Sequence, residues 1–155
     1  MFALRLVHLI EQHADRLSEV LLKKLRQSEA CDDLLALVPD DELKHRAYEI
    51  YHHVGDWLLS RTYDELEERY IGLGARRAQQ DVPFGQMLYA LQATKENLWE
   101  FLRQEDLLEP TELISELELL FALDRFFDRI AYFACIGYGD ARVRQVAHAL
   151  AAHPA

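Results

Sequence analysis

The sequence predicts an all-α protein, an antiparallel bundle of five main helices, and three observations carry that prediction. Apolar residues recur at three- and four-residue steps along most of the 155 residues, the spacing that lines one face of a helix. No stretch shows the strict alternation of a half-buried strand. The segments between the periodic runs are short, which sets successive helices antiparallel.

The first helix is expected over residues 2–27, with Ala3, Val7, Ile10, Ala14, Leu17, Leu21 and Leu25 facing the core. Phe2, Leu6 and Leu9 fall on a second face. A helix apolar on two sides needs a further element or another chain to cover it, so these three residues are the expected dimer contact. An acidic bend or short helical turn over 31–38 closes at Pro39, and Asp40 is placed to cap the second helix, which runs to about Leu59. Its core stripe is Leu43, Ala47, Ile50, Val54, Trp57 and Leu58. Thr62 to Glu65 match a capping box that opens the third helix, reaching about Gln80. Gly72 and Gly74 inside that helix suggest a tight crossing with a neighbour, because an interior glycine costs about 1 kcal/mol relative to alanine unless close packing offsets it.

Asp81 and Pro83 restart the chain as the fourth helix, which carries Phe84, Met87, Leu88, Leu91, Leu98, Phe101 and Leu102. Six acidic residues and no basic one lie between Glu105 and Glu118, with Pro110 at the expected start of the fifth helix. That helix directs Leu113, Leu117, Leu120, Phe127, Ala131 and Ala134 inward and continues at least to Ile136, where Gly137 and Gly139 read as a stop or bend. A weaker amphipathic helix is expected over 141–152. The chain reads as one domain, 1–155, with its core over about 2–138.

Composition narrows the function. Half the residues are hydrophobic and 28% charged, the balance of a folded globular chain. Against 17 Lys and Arg stand 27 Asp and Glu, a formal charge of −10, so no nucleic-acid partner is expected. The most apolar stretch, 117–138, holds Glu118, Asp124, Arg125, Asp128 and Arg129, and no membrane insertion is expected. Cys31 and Cys135 stand apart from any metal or redox motif, which fits a reduced, cytoplasmic setting. Only four Ser and three Thr occur, and neither a phosphate-cradling loop nor a nucleophile elbow is present.

Two constellations could carry chemistry. His45, Glu49, His52 and Asp56 project from one face of the second helix at four-, three- and four-residue steps, the spacing of a chelating site. They lie opposite the core stripe, and charge on that side is ordinarily solvated. Glu42 to His45 and Glu49 to His52 both spell ExxH, but a di-iron bundle needs that motif on two helices. The second constellation interrupts the core. Lys95 stands seven residues from Leu88 and Leu102, Asp124 seven from Leu117 and Ala131, and Arg77 continues the line of Leu66, Tyr70 and Leu73. Lys95 and Asp124 are expected to meet inside the bundle, with Arg77 or Asp128 completing an interior polar cluster, either structural or ligand-binding. No catalytic residue is assigned.

An ordered set of short motifs then resembles a known family. It comprises Trp57-Leu58-Leu59, Tyr70-Ile71-Gly72-Leu73-Gly74-Ala75-Arg76-Arg77-Ala78, Asp81-Val82-Pro83-Phe84, Lys95 through Leu102, Phe126-Phe127-Asp128-Arg129, Tyr132 and Gly137-Tyr138. Over 57–138, with a compatible first helix, the chain resembles the RsbRD-type N-terminal sensory domain of stressosome co-antagonist proteins. The resemblance implies an all-helical, often dimeric input domain without enzyme activity, placed before a STAS, kinase or other output domain. No such output domain fits before Pro154, so the chain reads as either a free-standing input module or one cut before its output.

The leading expectation is therefore a non-enzymatic cytoplasmic signalling domain without a cofactor, homodimeric through the ends of the first and fifth helices, with a further signalling protein as partner. The alternative is a helical bundle binding metal or haem through the second helix, as an enzyme or otherwise.

Overall fold

The computed structural model describes residues 4–60, 63–104 and 113–153. Among them the chain forms eight α-helices and no strand: α1 (Leu4–Gln12), α2 (Ala14–Gln27), α3 (Asp32–Leu37), α4 (Asp40–His52), α5 (Val54–Ser60), α6 (Tyr63–Gln79), α7 (Phe84–Gln104) and α8 (Leu113–Ala152). The all-α class is as the periodicity requires. The number of helices differs from five because two long ones are broken and the segment before Pro39 forms a short helix of its own, α3, while the expected tail helix is continuous with the fifth.

The first break is at His13. Its backbone leaves helical geometry at φ −102°, ψ 16°, and its imidazole Nδ1 bonds to the Leu9 carbonyl at 2.9 Å. The Leu9 carbonyl also keeps its bond from the His13 amide, at 3.2 Å. A like break at His53 separates α4 from α5. There Glu11 of α1 accepts a 3.2 Å hydrogen bond from the Gly55 amide, so a carboxylate from α1 satisfies an otherwise orphaned donor in the first turn of α5. The acidic bend is a 3-10 turn, Glu29–Cys31, followed by α3. Asp40 does not cap α4: Pro39 holds the cap position without a side-chain bond, and Asp40 is the first helical residue, paired with Arg26. The Thr62 capping box and Pro110 lie outside the described residues.

The core stripe of α1 and α2 is buried as its spacing predicts, from Val7 and Ile10 to Leu21 and Leu25. Leu6 is a correction. It is fully buried within its own chain, and Leu9 packs partly against the same core. Helix α1 packs against α4 and α5, which cover this second apolar face. Leu6 is therefore not open to a second chain, Leu9 keeps part of its surface, and Phe2 lies outside the described residues.

At its other end α6 closes on Asp81, whose φ of 61° is left-handed. The Val82 amide reaches the Arg77 carbonyl at 3.0 Å and the Asp81 amide that of Ala78 at 3.1 Å, a paired helix stop. Tyr138 then donates from its hydroxyl to the Val82 carbonyl at 2.6 Å, tying this turn to α8.

Helix α8 departs most from expectation. It runs unbroken for 40 residues, through Gly137 and Gly139 and on through the segment expected to be a separate tail. Its inward line is Leu119, Leu123, Phe126, Phe127, Ile130, Phe133 and Ala134, while Leu117 is exposed and Ala131 only half-buried. Apolar residues occur on every side of 113–136, so their period alone fixes no inward direction. Gly137 does not stop the helix because its place is in the crossing with α6, where Gly74 faces it across touching backbones. Gly72 faces open space.

Candidate functional site

The sequence-predicted interior cluster does not form as one unit. Lys95 Nζ does meet Asp124 Oδ1 at 3.1 Å and Asp128 Oδ1 at 4.0 Å, but at the surface: the side chains are 27%, 52% and 71% exposed. The pairing is found and the burial is not, because the inward line of α8 runs beside Asp124 rather than through it. An exposed pair of this kind contributes at most about 1 kcal/mol.

Arg77 is elsewhere, buried between α4 and α6. Its Nη1 donates to Glu42 Oε1 and Gln80 Oε1, both at 2.8 Å. Arg76 pairs with the same carboxylate, and Gln80 Nε2 donates to Glu42 Oε2 at 3.1 Å. These bonds, that of Arg76 foremost, hold the Glu42 carboxyl down at about 2, against the opposing effect of burial. Glu42 sits in the first turn of α4, where the helix end also favours negative charge. Arg77 is thus a satisfied structural cation.

A second buried network was not legible in the sequence. Asn97 on α7 donates from Nδ2 to the Leu17 carbonyl at 3.0 Å and to Tyr51 Oη at 3.2 Å, and accepts from Lys24 Nζ at 2.8 Å. Tyr51 in turn donates to the Thr94 carbonyl at 2.8 Å. The chain of bonds links α2, α4 and α7 through the middle of the domain. Glu116, also fully buried, accepts from Arg5 at 3.3 Å and ties α8 to α1.

Between these networks lies an apolar cavity of about 60 Å³, bordered by Leu21, Leu43, Ile50, Leu73, Leu91 and Arg77. An engineered apolar cavity of about 150 Å³ admits benzene. The space here is well under half of that, a packing void rather than a ligand pocket in this conformation.

The metal-like face of the second predicted helix is dispersed. His45 Nε2 lies 3.3 Å from Glu49 Oε1, while the other oxygen of Glu49 is taken by Arg69 at 3.0 Å. His52 stacks on Tyr48 with ring centroids 5.0 Å apart. Asp56 lies beyond the break at His53 and pairs with His53 at 3.2 Å. Among the described residues no group of three or more His, Cys, Asp or Glu is placed to hold a metal ion. The described thiols are free: Cys31 is buried, which pushes its pKa up to about 11, and Cys135 is half-buried.

One surface stands out. Ile114, Leu117, Phe121, Tyr132, Val143, Val146 and Leu150 of α8 are all exposed, and steps of about 100° per residue place them on one outward face. Phe121 is 68% exposed and Leu150 71%. Arg125 and Asp128, both exposed, interrupt the face between Phe121 and Tyr132. Apolar side chains exposed along one face in this way are uncommon on folded monomers. The sequence reading misses it because it directs Leu117 inward and treats 141–152 as a separate helix beyond a stop or bend at Gly137 and Gly139. Carried through the glycines, the same three- and four-residue steps would have found it.

The described residues form an all-α domain with buried polar networks at Arg77 and Asn97 and an exposed apolar strip along its longest helix. More particularly, the family model of the RsbT co-antagonist protein rsbRD N-terminal domain matches residues 4–153, nearly the whole chain, and the chain belongs to that family of stress-signalling input modules. The match extends the resemblance seen over 57–138 to every described residue. No curated protein and no solved structure matches the chain.

Proposed function

We propose that the chain is a non-enzymatic, cytoplasmic input domain of bacterial stress signalling that takes in or passes on its signal by protein association through the outer face of α8. The observation that carries this reading is the exposed apolar face itself, in a chain that belongs to a family of signalling modules. The engaged state of Arg77, Asn97, Tyr51 and Glu42 supports it, since each is held in place by structural partners. No described helix is long and apolar enough to cross a membrane.

The test is a stress-response reporter in the bacterium that encodes the protein. Phe121→Glu and Val146→Glu each put a charge on the face without touching the core. Both should abolish or lock the response at unchanged protein level and helicity. An unaltered response with both folded variants would overturn the reading.

A further inference from the structure

We infer that the void between α2, α4, α6 and α7 is the inner end of a binding site for a small monocarboxylate. Arg46 at its rim holds the carboxylate, and the void takes a short, unbranched apolar tail. The site is separate from the α8 face and stands or falls without it.

Arg46 lacks an anionic partner where its own helix ought to supply one. On a helix, a carboxylate four residues before an arginine or three after it lies within reach. Arg46 has one at each place, Glu42 and Glu49. Both are taken, Glu42 by Arg76, Arg77 and Gln80 and Glu49 by Arg69 and His45. Among the described residues Arg46 has neither a hydrogen bond nor an ion pair, although it is half-buried. Four guanidiniums therefore share two carboxylates, a local excess of positive charge in a chain of net charge −10. Burial, and behind it the nearness of Arg46 and Arg76, draws the pKa of Arg77 down. A bound anion offsets that repulsion.

The void supplies the apolar half of the site. Leu25, Ile50 and Leu73 on its wall are buried, whereas its lining is only half-buried at Arg46, Ala90 and Leu91. The way in therefore lies between α4 and α7, beside the Arg46 guanidinium. A cation at the entrance of an apolar interior suits a ligand divided in the same way, and a carboxylate can meet a guanidinium through two parallel hydrogen bonds. At about 60 Å³ the void excludes a ring, but it equals about two water volumes, room for about two or three carbons. Met87 also lines it, and its unbranched side chain can turn aside for the end of the tail. One turn before Leu73 on the same face of α6, buried Tyr70 has no hydrogen-bond partner for its hydroxyl among the described residues. Arg46 is among the charges that act on it.

Titration with sodium butyrate tests this, followed by amide NMR of the whole chain near neutral pH at constant ionic strength. Concentrations up to about 100 mM cover a Kd in the millimolar range. The resonances of Arg46, Ala47 and Leu91 should shift saturably. Binding should tighten about fourfold with each methylene added from acetate through propionate to butyrate. Butyramide, which has the same shape and no charge, should bind at least about tenfold more weakly. Arg46→Gln should weaken butyrate by a similar factor while its unfolding midpoint stays with the parent, because Arg46 has no bond to lose. Ala90→Leu keeps the cation and narrows the way in, and should weaken butyrate as well.

Butyrate shifts no larger than those of chloride at equal ionic strength would overturn the site. Equal affinity for acetate and butyrate would mean an anion resting on surface arginines, and would overturn the place given to the void. Unchanged butyrate affinity in folded Arg46→Gln protein would overturn the role of Arg46.

Discussion

Gly74 and Gly137 each press against the main chain of the other's helix. A Cβ at Gly74 would lie 1.9 Å from the Ala134 carbonyl oxygen, and a Cβ at Gly137 would lie 1.9 Å from that of Ile71. The relationship is reciprocal, each glycine facing the carbonyl three residues before the other.

Gly74→Ala and Gly137→Ala should therefore each destabilise the fold, because backbone cannot step aside as a side chain can. Overpacking costs of about 1–3 kcal/mol exceed the gain of about 1 kcal/mol from replacing a helical glycine. Gly72→Ala meets nothing within 4 Å and should stabilise by about 0.5–1 kcal/mol. Urea unfolding of the three variants, read against the parent, separates the two directions.

Acid should act through Glu42. Its pKa lies at about 2 in the fold against the usual 4.5, so its contribution is fully present above about pH 4.5 and is lost as pH falls toward 2. Glu42→Gln leaves Arg77 without its carboxylate and should cost about 1–3 kcal/mol at neutral pH. The variant should also lose less stability than the parent between about pH 5 and pH 2.5. Denaturant midpoints across that range are the measurement. An equal acid dependence in both proteins would dismiss Glu42 as the responsible group.

Leu6→Glu should damage the fold itself. Leu6 is fully buried, and an unpaired carboxylate there costs more than about 3 kcal/mol or draws in water. Thermal melting by circular dichroism should show a large fall in Tm or no cooperative transition. A well-folded variant would mean that the α1 face is open after all.

For the pair on α7 and α8, the expected effect is small. Asp124→Ala should cost less than about 1 kcal/mol, with the difference from the parent shrinking as salt is raised. A loss of several kcal/mol would place Lys95 in the interior, against its partial exposure.

How much of this was legible depended on whether a helix has one apolar side. The stripe of α2 and the inward line from Leu43 to Val54 were readable because polar residues mark the opposite face. In 113–136 the apolar residues Leu117, Leu119, Leu120, Phe121 and Leu123 surround the helix, so their spacing does not distinguish the buried line of Leu119 and Leu123 from the exposed one of Leu117 and Phe121. The seven-residue spacing that brought Lys95 and Asp124 together was sound, but it measures register along a helix and not depth. The breaks at His13 and His53 carry no proline or glycine at the break itself. The Asn97 network depends on residues 46 and 80 positions apart in sequence, a relation no local pattern contains.

The backbone contact at Gly74 and Gly137 also has a mechanical meaning. With no side chains interposed, the crossing is a fulcrum, and α8 is a beam resting on it with unequal arms. From Gly137 the arm to Leu113 is about 36 Å and the arm to Ala152 about 22 Å, so a tilt of about 5° carries the two ends in opposite directions by about 3 Å and about 2 Å.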